Sequence, residues 1–350
     1  MGMVIKILLF FRGRHRVRVL VTADIDHRIE KEFKNISFDY LGYALPDHIP
    51  SSHEEIKERI SDYDVLICEF DTINSDIIDA AKKLKLIICC RGGVSSSIDI
   101  QYAAKHGIIV KNTPARNATS VAEYVLGIIF NADRHLFEAN ELVLSDTLQN
   151  DKFILPDEYR DSLWGMDKAS PYHTLRGKGI HNFTLGIIGY GNVGRVVVNL
   201  AVVLGIHVLV YNHHPIVRPV PAGVEIVNKQ ELLRNSDFVS LHCNNRTHEI
   251  VMGKKEFAMM KEKAYFINSA RGDLVDEKAL IDALNCGHLS GAALDVTQQE
   301  PLPPKSPLIR AKNIFLTPHI AGATDEVVDT CTDMAIYHLR EYLSYMWESR

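Results

Sequence analysis

Short apolar runs and amphipathic segments alternate along the first hundred or so residues of the chain. The apolar runs predict strands at Val17–Thr22, Val65–Cys68, Leu86–Cys89 and Ile108–Val110. The segments between them predict helices at Ile25–Phe33, Ile56–Ile60, Ser75–Lys83 and Asp99–His106. Strands that alternate with helices are typical of a parallel α/β layer. This part of the chain is therefore predicted to form one small doubly wound unit.

A second α/β unit is predicted from Thr184 to about Pro318. It opens with the apolar run Leu185–Ile188, which is typical of a buried parallel strand. A glycine-rich turn follows, then an apolar helix at Arg195–Leu204 and a second strand at Val208–Tyr211. A glycine-rich turn between a strand and a helix, with a second strand beyond, indicates a dinucleotide-binding site.

Each glycine of the turn Gly189-Tyr-Gly-Asn-Val-Gly194 has a structural role that a larger residue could not fill. Gly189 makes the tight turn, Gly191 lets the backbone approach a pyrophosphate, and Gly194 lets the helix pack on the strand. The N-terminus of the helix offers free N–H groups and the positive end of its dipole to the phosphates.

Two longer amphipathic patterns lie outside these alternating runs. The first predicts a helix over about Ser120–Leu144 that packs on another domain or subunit. The second predicts a last helix over Asp325–Trp347 that returns to the first unit. The polar residues 145–180 are predicted to form a long surface connection.

Composition narrows the class of protein. A length of 350 residues predicts two domains, and 46% hydrophobic with 24% charged residues is ordinary for a globular enzyme. The net charge of −5 gives no reason to expect nucleic acid or an anionic membrane as a partner. The six cysteines show neither a CxxC pair nor metal-like spacing, so reduced thiols and no metal are expected. The first apolar run is too short for a signal peptide and no run is long enough for a membrane span, so a cytoplasmic location is expected.

Three motifs place polar side chains after apolar strands of the second unit. Arg271 ends the run 264–272, Glu300 follows the run 291–295, and His319 follows the run 314–318. The carboxyl ends of parallel strands in one open sheet face the same crevice, so these side chains can converge. Arg can hold a carboxylate in two-pronged fashion, His can move a hydroxyl proton, and Glu can orient the His. Each alone is typical of a surface residue, but together, behind a dinucleotide motif, they indicate hydride transfer between a nicotinamide and a 2-hydroxy or 2-oxo acid.

The sequence resembles the D-isomer-specific 2-hydroxyacid dehydrogenases, which include phosphoglycerate, glycerate and D-lactate dehydrogenases. The matching motifs are Ile267-Asn-Ser-Ala-Arg-Gly-Asp-Leu-Val-Asp-Glu277, Ala293-Leu-Asp-Val296 with Glu300-Pro301, and Thr317-Pro-His-Ile-Ala-Gly322. The resemblance implies that Arg271 binds the substrate carboxylate and carbonyl. It also implies that His319 is the acid/base and that Glu300 is its partner.

The resemblance further implies two sets of ligand contacts. Asp295 would hold the nicotinamide carboxamide, and the backbone of Arg91, Gly92, Gly93 and Val94 would bind the substrate carboxylate. The other implied cofactor contacts are Gly189, Tyr190, Gly191, Asn192, Val193, Gly194, Asn212, His213, Cys243, Thr247, Ala270 and Gly322. The segment 112–123 matches the family's crossover into the cofactor domain, and the helix after it is the family's usual dimerisation element. A homodimer is therefore expected.

The sequence departs from the family pattern in three places that bear on ligands. NAD-dependent members usually carry an Asp after the second strand, where this chain has Asn212, with Arg218 close behind. NAD is the expected cofactor, but NADP stays open because no carboxylate at this position repels a 2′-phosphate. The segment 241–247 is about two residues shorter than in the family. The substrate loop reads Gly92-Gly-Val-Ser-Ser-Ser97, where the family pattern is G-x-G-V-D-N. This difference suggests a different substrate or a different way of binding it.

These observations predict an α/β protein with two doubly wound parallel-sheet domains and a cleft between them. Residues 1–115 and 323–350 would form a flavodoxin-like substrate domain, and residues 116–322 a Rossmann NAD(P)-binding domain that begins with the dimerisation helix. The predicted function is reversible hydride transfer between a D-2-hydroxy acid and its 2-oxo acid.

Two other functions remain open at this point. One is a phosphoglycerate dehydrogenase, with phosphate contacts from the arginines between Arg12 and Arg18, from Arg91 and from Arg116. The other is a non-enzymatic dinucleotide-sensing protein similar to the transcriptional corepressors that share this fold.

Overall fold

The computed structural model describes residues 16–95, 97–145, 165–243 and 249–348. The chain divides into two compact units, Met1–Asn117 with Thr324–Arg350, and Ala118–Ala323. The assignment of substrate binding to the first unit and of cofactor binding to the second stays a prediction.

The first unit is built on a five-stranded parallel sheet in the order β2-β1-β3-β4-β5, the flavodoxin-like order. The strands are β1 (Arg18–Val21), β2 (Ser37–Tyr40), β3 (Val65–Cys68), β4 (Leu86–Cys89) and β5 (Ile109–Asn112). The helices are α1 (Arg28–Glu32), α2 (His53–Arg59), α3 (Ser75–Ala80), α4 (Ile100–Lys105) and, from the C-terminal segment, α12 (Asp325–Glu348). β3 and β4 are buried along their whole length, with one apolar cluster on each face of the sheet. Burial on both faces explains why these two strands read as continuous apolar runs.

The second unit is built on a seven-stranded parallel sheet in the order β12-β11-β10-β9-β6-β7-β8. The strands are β6 (Thr184–Ile188), β7 (His207–Tyr211), β8 (Val224–Ile226), β9 (Phe238–Leu241), β10 (Tyr265–Asn268), β11 (Gly291–Leu294) and β12 (Ile314–Leu316). The helices are α5 (Ala118–Arg134), α6 (Leu136–Leu144), α7 (Pro171–Thr174), α8 (Asn192–Val203), α9 (Lys229–Asn235), α10 (Lys254–Met259) and α11 (Glu277–Asn285). The chain reverses its winding at β6 and β9, where an open α/β sheet binds its ligand.

The predicted fold class, α/β with two parallel sheets, is confirmed. The structure differs from the predicted elements most clearly at β2 and at two helices. β2 was not predicted, because its four residues are all half-buried at the sheet edge and show no apolar run. The helix predicted from Arg195 begins at Asn192, so Gly194 lies inside its first turn.

The third correction concerns the helix predicted over Ser120–Leu144, which is two helices. They separate at His135, whose backbone is left-handed with φ of 50°. The Asn131 side chain accepts a hydrogen bond from the Phe137 N–H at 3.1 Å, which satisfies a free donor at the start of α6. An apolar pattern that continues across such a break does not reveal it.

Candidate active site

The glycine turn after β6 is shaped by close backbone approaches. Gly189 has φ of +102°, and a Cβ there would lie 2.7 Å from the backbone of His242 and Cys243. A Cβ on Gly194 would lie 2.1 Å from the Gly189 carbonyl oxygen, so the first turn of α8 packs directly on the glycine turn. A Cβ on Gly191 would meet nothing closer than 4.0 Å. The turn is therefore closed on the protein side and open over Gly191 and the exposed Asn192, as the approach of a pyrophosphate requires.

Asn212, at the end of β7, ties this turn to the neighbouring strand. Its Oδ1 accepts a hydrogen bond from the Tyr190 N–H at 2.9 Å, and its Nδ2 donates to the His214 carbonyl at 2.8 Å. The Tyr190 side chain is buried, and its hydroxyl donates to the Pro219 carbonyl at 3.3 Å. Tyr190 thus has structural partners for both its N–H and its hydroxyl. His213 and Arg218 are exposed, and no carboxylate occurs between Asn212 and Gly223.

The segment after β9 lines the protein side of the glycine turn. The half-buried Cys243 is a thiol whose pKa is raised by desolvation. Desolvation lowers the pKa of the neighbouring His242 to about 3, so its ring is neutral near pH 7, and its Nε2 lies 2.9 Å from the Ser240 hydroxyl. Sequence reasoning missed His242, and no sequence signal separates it from an ordinary residue at a strand end. Thr247, the other predicted contact here, lies outside the described residues.

Arg271 is presented by a turn that the buried Asn268 holds. The Asn268 side chain donates to the Arg271 carbonyl at 2.8 Å and accepts from the Ala270 N–H at 3.0 Å. The guanidinium is exposed and donates to the Ala270 carbonyl at 2.6 Å. A Cβ on Gly272 would lie 2.0 Å from the Thr297 carbonyl, so this turn packs against the next one along the sheet edge. Asn268 belonged to the motif, but its role as a positioning residue was not predicted.

His319 and Glu300 form a direct pair. The His319 Nδ1 lies 2.7 Å from one Glu300 carboxylate oxygen, and the other oxygen accepts from the Thr297 N–H at 3.1 Å. The His319 side chain remains 54% exposed, so its other ring nitrogen can be reached from outside. His319 also has φ of 58°, a left-handed conformation that is rare for residues other than glycine and is often found at functional sites.

The buried Asp295 holds the loop that carries His319. Its carboxylate accepts hydrogen bonds from the Ile320 N–H at 2.7 Å, the Ala321 N–H at 2.9 Å and the Thr317 hydroxyl at 2.7 Å. The Asp295 carbonyl also accepts from the His319 N–H at 2.8 Å. Three donors to one carboxylate stabilise the unusual backbone at His319. Gly322, the last predicted cofactor contact, is the residue directly after Ala321 and is half-buried.

In the first unit, the loop after β4 is held open at its tip. The Thr113 N–H donates to the Arg91 carbonyl at 3.1 Å, and the Asn112 side chain donates to the Gly92 carbonyl at 2.7 Å. The Arg91 guanidinium donates to the Ser97 hydroxyl at 3.2 Å. Gly92 and Gly93 are exposed, and a Cβ on either would meet nothing within 4 Å. The space beside these two glycines can therefore admit a small ligand.

The structure thus brings Glu300, His319 and Asp295 together on one edge of the seven-stranded sheet, with the Arg271 turn packed against the Glu300 turn. Among the described residues, no three His, Cys, Asp or Glu side chains are placed to hold a metal ion. No helix within the described ranges is long and apolar enough to cross a membrane.

Two doubly wound parallel sheets, one of which carries a glycine turn and a His–Glu pair, are typical of nicotinamide-nucleotide-dependent oxidoreductases. The chain belongs to the D-isomer-specific 2-hydroxyacid dehydrogenase family. The family model described as "D-isomer specific 2-hydroxyacid dehydrogenase, NAD binding domain" matches residues 133–321. The predicted family and enzyme class are confirmed by this match.

Two curated relatives and one solved structure illustrate the similarity. A glyoxylate reductase of Korarchaeum cryptofilum is 33% identical over 332 residues, which cover 92% of this chain and 91% of the relative. A D-3-phosphoglycerate dehydrogenase of Methanocaldococcus jannaschii is 35% identical over 318 residues, which cover 89% of this chain but only 54% of that protein. An acyclic imino acid reductase solved in complex with NADPH and D-Arg has a TM-score of 0.74 at 25% identity, over 94% of this chain and 98% of the reductase.

Proposed function

We propose that this enzyme reversibly reduces a 2-oxo acid to a D-2-hydroxy acid, with His319 as the acid/base. The observation that carries the proposal is the hydrogen bond of 2.7 Å between the His319 Nδ1 and the Glu300 carboxylate. Nδ1–H donation to the carboxylate leaves Nε2 as the nitrogen that exchanges a proton with the substrate oxygen. Glu300 fixes the ring and stabilises the imidazolium that forms in the oxidising direction.

The residues present fit a nicotinamide dinucleotide. The open face of Gly191, where a Cβ would meet nothing closer than 4.0 Å, lies at the N-terminus of the 12-residue helix α8. The free N–H groups of that terminus would bind the pyrophosphate, and Asn212 would face the adenosine ribose. Asp295 would receive the carboxamide. The cofactor, when bound, supplies or accepts the hydride at C2 of the substrate. NAD is the proposed cofactor, with NADP as the alternative.

The remaining roles concern the substrate. Arg271 would bind the carboxylate and polarise the carbonyl through its planar pair of donors. The backbone of Arg91–Val94 would bind the carboxylate from the first unit. We assign substrate binding to the first unit and cofactor binding to the second, and we propose a homodimer through α5 and α6.

The proposal is tested with His319→Ala and Arg271→Lys, each assayed on a panel of 2-oxo acids with NADH and with NADPH. His319→Ala should abolish turnover, and its dissociation constant for the dinucleotide should stay within a few-fold of the wild type. Arg271→Lys should lose mainly kcat/KM, because an ammonium cannot reproduce the planar pair of hydrogen bonds. Lys312→Ala, at an exposed site on the same unit, is the control. Loss of dinucleotide binding in His319→Ala, or normal kinetics in Arg271→Lys, would contradict these roles.

A further inference from the structure

Phe70 lies beside the loop proposed to bind the substrate carboxylate. β3 and β4 pair in parallel with Cys68 opposite Cys89, so the residues after them leave the same sheet edge. The Arg91 guanidinium lies 5.6 Å from the centre of the Phe70 ring, a cation–π arrangement. The Phe70 ring is nevertheless 53% exposed. The exposed ring is therefore available to a ligand.

Phe70 belongs to the wall of a cavity. Tyr43 packs edge-on against the Phe70 ring, with 5.1 Å between centroids. Both rings line a cavity of about 240 Å³, together with Pro50, Ile56 and the polar residues Ser51, His53, Asp71 and Thr72. The Asp71 carboxylate accepts from the Thr22 hydroxyl at 2.6 Å. The described lining thus combines an apolar part, formed by the two rings, Pro50 and Ile56, with polar side chains that include one carboxyl group but no lysine or arginine.

Two of the arginines that were candidates for phosphate contacts, Arg116 and Arg18, are engaged with carboxylates in the described part of the first unit. The Arg116 guanidinium lies 2.7 Å from the Glu69 carboxylate, and only 17% and 6% of the two side chains are exposed. Arg18 lies 3.0 Å from Asp39 and also donates to the Tyr63 hydroxyl. The Arg91 guanidinium donates to the Ser97 hydroxyl and lies over the Phe70 ring, so it is partly engaged as well. A second anionic group in this cavity would meet the Asp71 carboxyl with no lysine or arginine among the described lining residues to offset its charge, which disfavours its burial.

We propose that the Tyr43–Phe70 wall selects an unphosphorylated 2-oxo acid whose C3 carries an apolar or aromatic substituent. This inference rests on the proposed function, because it takes Arg91–Val94 as the carboxylate-binding loop. An apolar substituent gains free energy when it leaves water against these rings, and an aromatic one also stacks on them. The Phe70 and Tyr43 side chains determine specificity and take no part in proton or hydride transfer.

The test compares kcat/KM for phenylpyruvate, 4-methyl-2-oxopentanoate, glyoxylate and 3-phosphohydroxypyruvate. At least one of the two apolar substrates should exceed both others by about tenfold or more, the size of effect that a few buried methylene groups give. Phe70→Ala should remove most of that preference and leave glyoxylate within about twofold, whereas Phe70→Tyr should retain it. Tyr337→Ala, at a 63% exposed aromatic residue of the same unit, should change none of the ratios.

Calorimetry separates the failure of this inference from the failure of the proposed function. Phenylpyruvate and 3-phosphohydroxypyruvate are titrated into His319→Ala, with and without Phe70→Ala, in complex with NADH or with NADPH, whichever supports turnover in the wild type or, without turnover, binds more tightly. Absence of turnover with every 2-oxo acid would overturn the proposed function, while tighter binding of phenylpyruvate that depends on Phe70 would still support the wall. Three results would contradict the proposed role of the wall. They are binding of 3-phosphohydroxypyruvate as tight as or tighter than that of phenylpyruvate, turnover of glyoxylate as fast as or faster than that of both apolar substrates, and an equal effect of Phe70→Ala on all four substrates.

Discussion

At the scale of single residues, the site depends on a few hydrogen bonds to side chains that sequence patterns do not single out. His319 has a partner in Glu300 and an unusual backbone, and Asn268 holds the Arg271 turn from below. His242 is neutral because it is desolvated beside the glycine turn. Two of these residues allow direct tests of what the contacts contribute.

Glu300→Gln should lower kcat/KM by roughly ten- to a hundredfold, because an amide neither orients the ring equally well nor stabilises an imidazolium. The measurement is steady-state kinetics together with dinucleotide affinity, which should be unchanged. Glu225→Gln is the matched control, since Glu225 forms a similar pair with His207 at 2.8 Å elsewhere on the same unit. Equal effects of the two substitutions would remove Glu300 from the mechanism.

His242 should make the protein less stable in acid. Its pKa in the folded protein is about 3, below the unfolded value of about 6.5, so the unfolded state takes up the proton first. The free energy of unfolding therefore falls as the pH drops below about 6.5, by on the order of 3 kcal/mol at pH 4 from this group alone. In His242→Gln, the free energy of unfolding should fall less between pH 7 and pH 4, by on the order of 3 kcal/mol. Urea unfolding at the two pH values measures this difference.

The exposed His214→Gln serves as the control for this experiment. It should follow the wild-type pH dependence closely. A His242→Gln curve parallel to that of the wild type would show that folding does not lower the pKa of this ring.

At the scale of elements, helix α5 contributes to the proposed active site through one hydroxyl. The Tyr124 hydroxyl lies 2.7 Å from the Thr317 hydroxyl, which in turn donates to the buried Asp295 carboxylate. That carboxylate holds the loop of His319, so a helix outside the sheet helps to fix the backbone beside the proposed acid/base. Burial raises the pKa of Tyr124 to about 12, so its hydroxyl keeps its proton over the working pH range.

Tyr124→Phe should lower kcat several-fold with little change in KM, because it loosens the His319 loop without removing any group proposed to bind ligand. The loss of one buried hydrogen bond should also cost about 1 kcal/mol of stability. Steady-state kinetics and denaturant unfolding measure the two effects, with the exposed Tyr172→Phe as control. Normal kcat in a destabilised Tyr124→Phe would limit the chain of hydroxyls to a structural role.

At the scale of the whole molecule, each of the two units has its own sheet and its own apolar clusters. The free energy of unfolding of each unit therefore depends on contacts within that unit. In the first unit, the buried Glu69–Arg116 pair joins the end of β3 to the segment after β5. Burial raises the pKa of the Glu69 carboxyl, against the opposite effect of Arg116. Removing one partner of such a pair leaves the other charge buried without its counterion, which is destabilising.

Glu69→Gln should lower the free energy of unfolding of the first unit by about 3 kcal/mol, because it leaves the Arg116 charge buried without its counterion. Asp39→Asn breaks the exposed pair with Arg18 and should cost less than about 1 kcal/mol. Urea unfolding, followed by a probe in each unit, measures both. Equal effects of the two substitutions would show that burial does not strengthen the Glu69–Arg116 pair.

Much of the fold could be predicted because its strands are buried on both faces. β3 and β4 coincide with their predicted limits, and the apolar runs at Leu185 and Val208 became β6 and β7. β2 was missed because an edge strand that is half-buried along its length has no apolar run. The break at His135 was missed because a left-handed residue and one side-chain hydrogen bond, not the apolar pattern, separate α5 from α6.

The sequence by itself determined the two parallel sheets, the glycine turn and the family, because buried strands and turn glycines constrain residue type locally. Only the tertiary structure placed Asp295 beneath the His319 loop, paired Arg116 with Glu69, and set Phe70 under Arg91. Each of these contacts joins residues from different elements. Their partners are chosen by the packing of the sheet edge, which no local pattern encodes.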